Sequence, residues 1–231
     1  MVTVRPGLRV IDLGCGSAEL TTRLADLLPN SDVLGVDSSP EMLERALPRA
    51  RRGLRFELRS IESVQGAWDL VFSHAALHWV EDHEVLVPRL LSLVSPGGQL
   101  AVQLPSNHLH FTQTVIPAVA SDEVFRAALG GWIRRSPVLP VDRYAELLYG
   151  AGAREVTVFE KVYGHVLPDA DAVAEWLAGT TLVPYLTRLP DLLRELFLDR
   201  YRARLRARWP SGPVFFPFRR ILFVAVRPAS A

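Results

Sequence analysis

The chain has 231 residues, of which 49% are hydrophobic and 22% charged, and its formal net charge is +1. That balance fits one large α/β domain with a substantial core and gives no electrostatic case for nucleic acid or an acidic membrane surface. The single cysteine, Cys15, excludes an intrachain disulfide and fits a reducing, cytoplasmic compartment; no apolar run reads as an export signal or a bilayer span.

Val10-Ile11-Asp12-Leu13 is an apolar, branched run that breaks at Gly14 and Gly16 and then turns helical. Leu20, Leu24, Leu27 and Leu28 fall at helical spacing and predict one apolar stripe. The reading is strand, tight glycine turn, helix: a turn where the backbone lies close to a ligand and helix N–H groups face it, as suits a nucleoside cofactor. The next strand, residues 33–37, ends in Asp37, at an offset from Gly16 suited to accepting the hydroxyls of a ribose. Ser39 then reads as a helix N-cap with Pro40 at the first helical position. Leu54–Leu58 alternates as a third strand, and residues 68–72 are more continuously apolar, as a central fourth strand should be. A helix over 83–94, a turn at Ser95-Pro96-Gly97-Gly98 and a fifth strand over 99–104 follow. Strands alternating with helices predict a doubly wound parallel sheet, with ligands at the carboxyl ends of its strands.

After Pro105 the rhythm changes. Residues 106–137 read as a helical excursion, 141–149 as a helix closed by Gly150-Ala151-Gly152, and 155–166 as a long strand. Helices over 169–179 and 190–209 precede a closing strand, Val214–Val226. With no repeat or flexible linker, the expectation is a single domain over 1–231. Two insertions, about 106–137 and 168–213, are expected to meet as a helical cap.

Asp12-Leu13-Gly14-Cys15-Gly16, followed by Gly35-Val36-Asp37-Ser38-Ser39-Pro40-Glu41-Met42-Leu43, resembles motif I and its acidic partner in class I S-adenosylmethionine-dependent methyltransferases. Dehydrogenases use a longer pattern with a third glycine, where this chain has Ala18. The segments 72–83, 100–107 and 218–225, with 175–177 and 179–186, resemble trans-aconitate 2-methyltransferases, so the likeness runs over nearly the whole chain. It implies a Rossmann-like sheet, mostly parallel with an antiparallel C-terminal strand, plus a helical cap. It also implies S-adenosyl-L-methionine as cofactor and a small carboxylic acid as methyl acceptor. Three departures stand out: that family's helical segment before the first strand is missing, Arg59-Ser60-Ile61 stands where an acidic residue near adenine is usual, and Val183 stands where the family has arginine. Alternatives left open are another acyl or small-molecule acceptor, a non-catalytic cofactor-binding protein and, more distantly, a nicotinamide oxidoreductase.

On this resemblance the cofactor would meet Asp12, Gly14, Cys15 and Gly16 in the turn, and Asp37 at its ribose. Ser38 and Met42 would border the ribose and adenine, Ser60 and Ile61 flank adenine, and Ser73 and His74 line the sulfonium side. His78, His108, Tyr163, His165, Tyr185 and Arg219 are the candidate acceptor contacts. Arg219 and Arg220 are adjacent on a strand, so at most one should face a pocket. A carboxylate acceptor is already ionised at pH 7, so no acid or base catalyst is expected. His74, His78 and His83 lack metal-ligand spacing, and no metal is expected.

Overall fold

The computed structural model describes residues 2–229. Seven strands form one sheet in the order β3-β2-β1-β4-β5-β7-β6. They are β1 (Arg9–Leu13), β2 (Asp32–Asp37), β3 (Leu54–Leu58), β4 (Trp68–His74), β5 (Val94–Pro105), β6 (Arg154–Leu167) and β7 (Val214–Val226). Strands β1 to β5 pair in parallel, and β7 runs antiparallel beside β5. The helices are α1 (Glu19–Leu27), α2 (Pro40–Ala46), α3 (His83–Ser92), α4 (Phe111–Thr114), α5 (Ile116–Ala120), α6 (Glu123–Ala128), α7 (Val141–Gly150), α8 (Ala170–Ala178), α9 (Val183–Leu186) and α10 (Asp191–Arg208). The doubly wound sheet with an antiparallel C-terminal strand is the expected one.

The chain divides into two compact units. The first contains residues up to 105, 137–161 and those from 220 onward; the second contains 106–136 and 162–219. In the first unit each central strand feeds two cores, because successive side chains point to opposite faces. Ile11, Leu13, Val71, Val102, Leu104, Ile221 and Phe223 pack with α3 and α7. Val10, Leu70, Ala101 and Val224 pack with Leu28, Leu43 and Ala46. Burial on both faces explains the continuous apolar runs of these strands. Strand β3 lies at the sheet edge, where one guanidinium nitrogen of its exposed Arg55 donates to both carboxylate oxygens of Asp32 at 2.7 and 2.8 Å. A charge there keeps the edge from pairing with another chain.

Three local expectations are corrected. Helix α1 does not bury Leu20 and Leu27, which are exposed; it buries Thr21, with Leu24 half-buried and Leu28 buried just past its end, so its inner stripe is turned by one residue. The stripe follows a polar contact: Thr21 Oγ1 donates to Asp12 at 2.6 Å. Ser95-Pro96-Gly97-Gly98 does not precede the fifth strand but lies inside it. Trp68 pairs with Val94 and Leu70 with Gln99, so one short step on β4 spans a bulge on β5. A short helix, α9, stands where the sequence shows no helical period.

The second unit has its own core, built from both excursions. Phe125, Tyr185, Phe197, Tyr201 and Leu205 are buried together with Val119 and Val173. Among the described residues no helix is long and apolar enough to cross a membrane.

Candidate functional site

In the first unit the glycine turn, Asp37 and the ends of β4, β5 and β7 carry the polar groups. Gly14 and Gly16 take φ of +76° and +54°, the left-handed region that favours glycine. The backbone N–H groups of Gly14 and Cys15 donate to Val36 O at 2.8 and 3.0 Å, which folds the turn onto β2. Asp37 completes that fold: its Oδ2 accepts Gly16 N–H at 2.9 Å and its Oδ1 accepts Ser39 N–H at 2.9 Å. Each carboxylate oxygen has a second lone pair, so Asp37 can hold the turn and still accept two hydroxyls. Ser39 caps α2 through Met42 N–H at 3.3 Å, as its sequence position predicts. Ala18, at the position of the missing third glycine, is fully buried and itself adopts the left-handed conformation at φ +64°. The backbone path of the glycine pattern is therefore kept without the glycine.

Asp12 is buried behind this turn. Burial above all, with a smaller contribution from the charge of Asp37, raises its carboxyl from 3.8 to about 7, the Thr21 hydrogen bond acting the other way. Cys15 is buried, and burial, then Asp12 and Asp37, push its thiol up to about 12, so it is no nucleophile at neutral pH. A carboxyl raised on folding binds more protons in the native state than in the unfolded one. Asp12 therefore contributes stability that is fully present below about pH 4 and is lost as pH rises through about 7. Denaturation midpoints measured across that window should fall with pH in the wild type and fall less steeply in Asp12→Asn. Equal slopes would mean that Asp12 is not the protonated group.

The adjacent candidates Ser73 and His74 divide between the faces. Ser73 is fully buried and its hydroxyl donates to Leu13 O at 2.8 Å, so it ties β4 to β1 inside the sheet instead of lining a ligand site. His74 pairs in register with Gln103 and falls, by alternation, on the face of Asp12. Burial, then the Arg220 guanidinium, holds His74 below the usual histidine range, so the ring is neutral at pH 7. Pro105 pairs with Arg220 and Gln103 with Leu222, which puts Arg220, Gln103 and His74 on one face. The arginine coupled to His74 is thus Arg220; Arg219 instead acts on His110.

Gln103 is the residue that sequence reading missed here. It is 7% exposed, and neither its amide nitrogen nor its amide oxygen has a hydrogen-bond partner among the described residues. An orphaned buried amide is destabilising by about 1–3 kcal/mol and marks a place where a ligand would complete the structure. A second observation agrees: a Cβ added at Gly16 would meet nothing within 4 Å. Both fit a cofactor held at the carboxyl ends of the strands. Of the two residues expected to flank adenine, Ile61 is buried and Ser60 half-buried, and Arg89 donates to Ile61 O at 3.3 Å and Val64 O at 2.5 Å, which fixes that loop. Arg59 pairs with Glu57 at 2.8 Å. Ser38 is exposed and Met42 half-buried.

His78 lies against Trp79, with ring centroids 4.8 Å apart. His83 is buried, its Nε2 donating to Leu77 O at 2.9 Å and its Nδ1 at 2.5 Å from the Tyr144 hydroxyl. Among the described residues no three His, Cys, Asp or Glu side chains gather as a metal site.

In the second unit two of the acceptor candidates, His108 and Tyr185, line one cavity of about 270 Å³ with Arg134, Gln113, Ser136 and Thr181. Tyr185 is 2% exposed, stacks on Phe197 and accepts Arg134 N–H at 3.1 Å through its hydroxyl. Tyr163, His165 and Arg219 do not line it. His165 packs edge-on against Trp176 at 4.7 Å, and Arg219 is exposed, its backbone N–H bonded to Asn107 Oδ1 at 2.6 Å. Val183 is also elsewhere: it is 39% exposed and lines a shallow depression with Leu186, Thr187 and Arg194. Arg134 escaped the sequence reading because 132–140 has no periodicity; its signal was a pair of arginines closing a segment poor in charge.

The sheet order, the glycine turn and its acidic partner define a Rossmann-like methyltransferase, and residues 5–136 match the family model described as a methyltransferase domain. The chain is 45% identical to a trans-aconitate 2-methyltransferase of Deinococcus radiodurans, over 99% of this chain and 90% of that one. It is 39% identical to the enzyme of the same name from Variovorax paradoxus, over 96% and 87%. The chain belongs to the trans-aconitate 2-methyltransferase family. Among solved structures it resembles a Haemonchus contortus phosphoethanolamine N-methyltransferase 2 in complex with S-adenosylhomocysteine, with a TM-score of 0.59 at 16% identity. That match covers 98% of this chain, which spans about half the length of the other. Family membership sets the nicotinamide alternative aside.

Proposed function

We propose that this chain transfers a methyl group from S-adenosylmethionine to a carboxylate oxygen of a small polycarboxylic acid of the trans-aconitate class. The observation that carries it is Asp37, which ties Gly16 and Ser39 into one turn while keeping acceptor capacity for a ribose. The names of the relatives support the acceptor class. When bound, S-adenosylmethionine supplies an electrophilic methyl carbon on a sulfonium. Gly14 and Gly16 would let the backbone approach it, Asp37 would accept the ribose hydroxyls, and Ile61 with Ser60 would flank the adenine.

The acceptor needs no base, because a carboxylate is ionised at neutral pH. The residues fit that requirement. His74 is neutral there and donates or accepts a hydrogen bond without adding charge, while Arg220 supplies a cation on the same face. Alignment of the acceptor oxygen is then the main contribution, and good alignment supplies about 7–11 kcal/mol of barrier reduction. A net charge of +1 supports a small-molecule partner over nucleic acid, and the lone cysteine supports a cytoplasmic compartment.

The test is a methyl-transfer assay on trans-aconitate and a panel of mono- and dicarboxylates, with Asp37→Ala alongside. Wild type should form a methyl ester of a polycarboxylate. Asp37→Ala should weaken cofactor binding at least tenfold, about 1.4 kcal/mol, since a charged acceptor is lost. Transfer to no carboxylate, or unchanged cofactor affinity in Asp37→Ala, would overturn the corresponding half of the reading.

A further inference from the structure

Two buried glutamines stand on one face of β5, four residues apart. The first is closed by backbone: Gln99 Oε1 accepts Thr3 N–H at 2.8 Å and its Nε2 donates to Thr3 O at 3.0 Å. The second is open. Gln103 is 7% exposed, and neither its Nε2 nor its Oε1 has a partner among the described residues. This apolar strand thus keeps one amide that backbone satisfies, and the unsatisfied one sits at its carboxyl end, where a doubly wound sheet takes its ligands. Gln103, His74, the glycine turn and Asp37 all belong to the first unit. His74 is the register neighbour of Gln103 on β4, neutral at pH 7 because burial, then Arg220, holds it below the usual histidine range. The order β2-β1-β4-β5 sets Gln103 three strand spacings, about 14 Å, from the strand that ends in Asp37.

We propose that Gln103 bridges the two reactants, its Nε2 donating to the reacting carboxylate and its Oε1 accepting the polarised C–H groups of the sulfonium methyl. The proposal rests on the reading of the chain as a carboxylate methyltransferase and adds which side chain brings acceptor and cofactor together. With the ribose at Asp37, the nucleoside takes the β2 side of the sheet and leaves β4 and β5 to the reacting groups. Those groups carry opposite charges. In the transfer a lone pair of the carboxylate oxygen forms the bond to the methyl carbon, the carbon–sulfur pair stays with sulfur, and no proton moves, so both charges vanish together. A cationic side chain between them would hold the carboxylate and repel the sulfonium, and an anionic one would do the reverse. A neutral amide has a positive N–H end and a negative C=O end and serves both. Once ester and thioether have formed, neither product carries the charge that held it.

The experiment titrates trans-aconitate, or whichever acid of a carboxylate panel wild type methylates fastest, into the full chain under two loadings. One is S-adenosylhomocysteine, a neutral thioether; the other is the analogue in which a carbon bearing an amine replaces the methylsulfonium, a cation that transfers nothing. Wild type, Gln103→Leu, Gln103→Glu and Gln99→Leu are compared by calorimetry, each checked by thermal melting. Wild type should bind the acid more tightly beside the cation. Gln103→Leu should raise the Kd of the acid about ten- to a hundredfold, since a hydrogen bond to a charged group is lost. Gln103→Glu should weaken the acid further while raising affinity for the cationic analogue relative to S-adenosylhomocysteine, and a glutamine that only packs would not move the two ligands in opposite directions. Gln99→Leu should melt earlier, having lost the bonds to Thr3, and bind both ligands as wild type does. Unchanged acid affinity in Gln103→Leu, an equal loss in Gln99→Leu, or an unchanged preference between the two cofactor forms in Gln103→Glu overturns the bridge. Methyl transfer by wild type alongside any of these leaves the function standing without it, whereas transfer to no acid removes both.

Discussion

Gly14→Ala should unfold the first unit far more readily than Gly16→Ala, although both replace a glycine with positive φ in the same turn. A Cβ on Gly14 would stand 2.2 Å from Ala76 Cβ, an atom fixed to its own backbone and unable to swing away. The left-handed conformation adds about 1–2 kcal/mol for alanine, and forced overpacking adds about 1–3 kcal/mol more. For a chain of this size each 1 kcal/mol lowers Tm by about 2–4 °C, so a drop on the order of 10 °C is expected. Gly16→Ala carries only the conformational cost, because nothing lies within 4 Å of the added carbon. Its methyl would instead enter the space beside Asp37, so the loss should appear in ligand binding. Melting curves with and without S-adenosylhomocysteine separate the two. Gly14→Ala should melt early without ligand; Gly16→Ala should melt within a few degrees of wild type and lose most of the ligand-induced shift. A full ligand-induced shift in Gly16→Ala would place the cofactor away from this turn.

What was legible in the sequence was local. The glycine turn, the Ser39 cap, Leu54–Leu58 and Val214–Val226 each depend on residues within a few positions of one another, and each lies where the pattern puts it. The failures come from contacts that periodicity does not carry. The inner face of α1 is set by Thr21 bonding Asp12, nine residues away, and a stripe of leucines gives no sign of it. The glycines at 97 and 98 look like a turn but bulge within β5, because β4 beside them sets the register. For the site, alternation alone separates Ser73 from His74, and the strand pairing then decides which of Arg219 and Arg220 joins His74. Arg134 and Gln103 were invisible for different reasons. One lies in irregular chain, and the other reads as an unremarkable polar residue in an apolar strand until its burial is seen.

Gln103→Leu should stabilise the fold and impair the enzyme, a pair of effects that a structural glutamine would not produce. Both polar atoms of the amide are buried without a partner among the described residues, on the sheet face that also carries His74 and Arg220. A leucine of similar size removes two desolvated polar atoms and leaves the neighbouring apolar core intact. The gain should be about 1–2 kcal/mol, within the range for relieving unsatisfied buried groups. The same change deletes a donor and an acceptor at the carboxyl end of β5, where a doubly wound sheet binds its ligands. If the amide bonds cofactor or acceptor, kcat/KM should fall tenfold or more, and Gln103→Glu should fall further by placing an acid near the carboxylate substrate. Chemical denaturation and initial rates on the same preparations give both numbers. A Gln103→Leu variant that is less stable and fully active would mean that the amide is satisfied within the fold and touches no ligand.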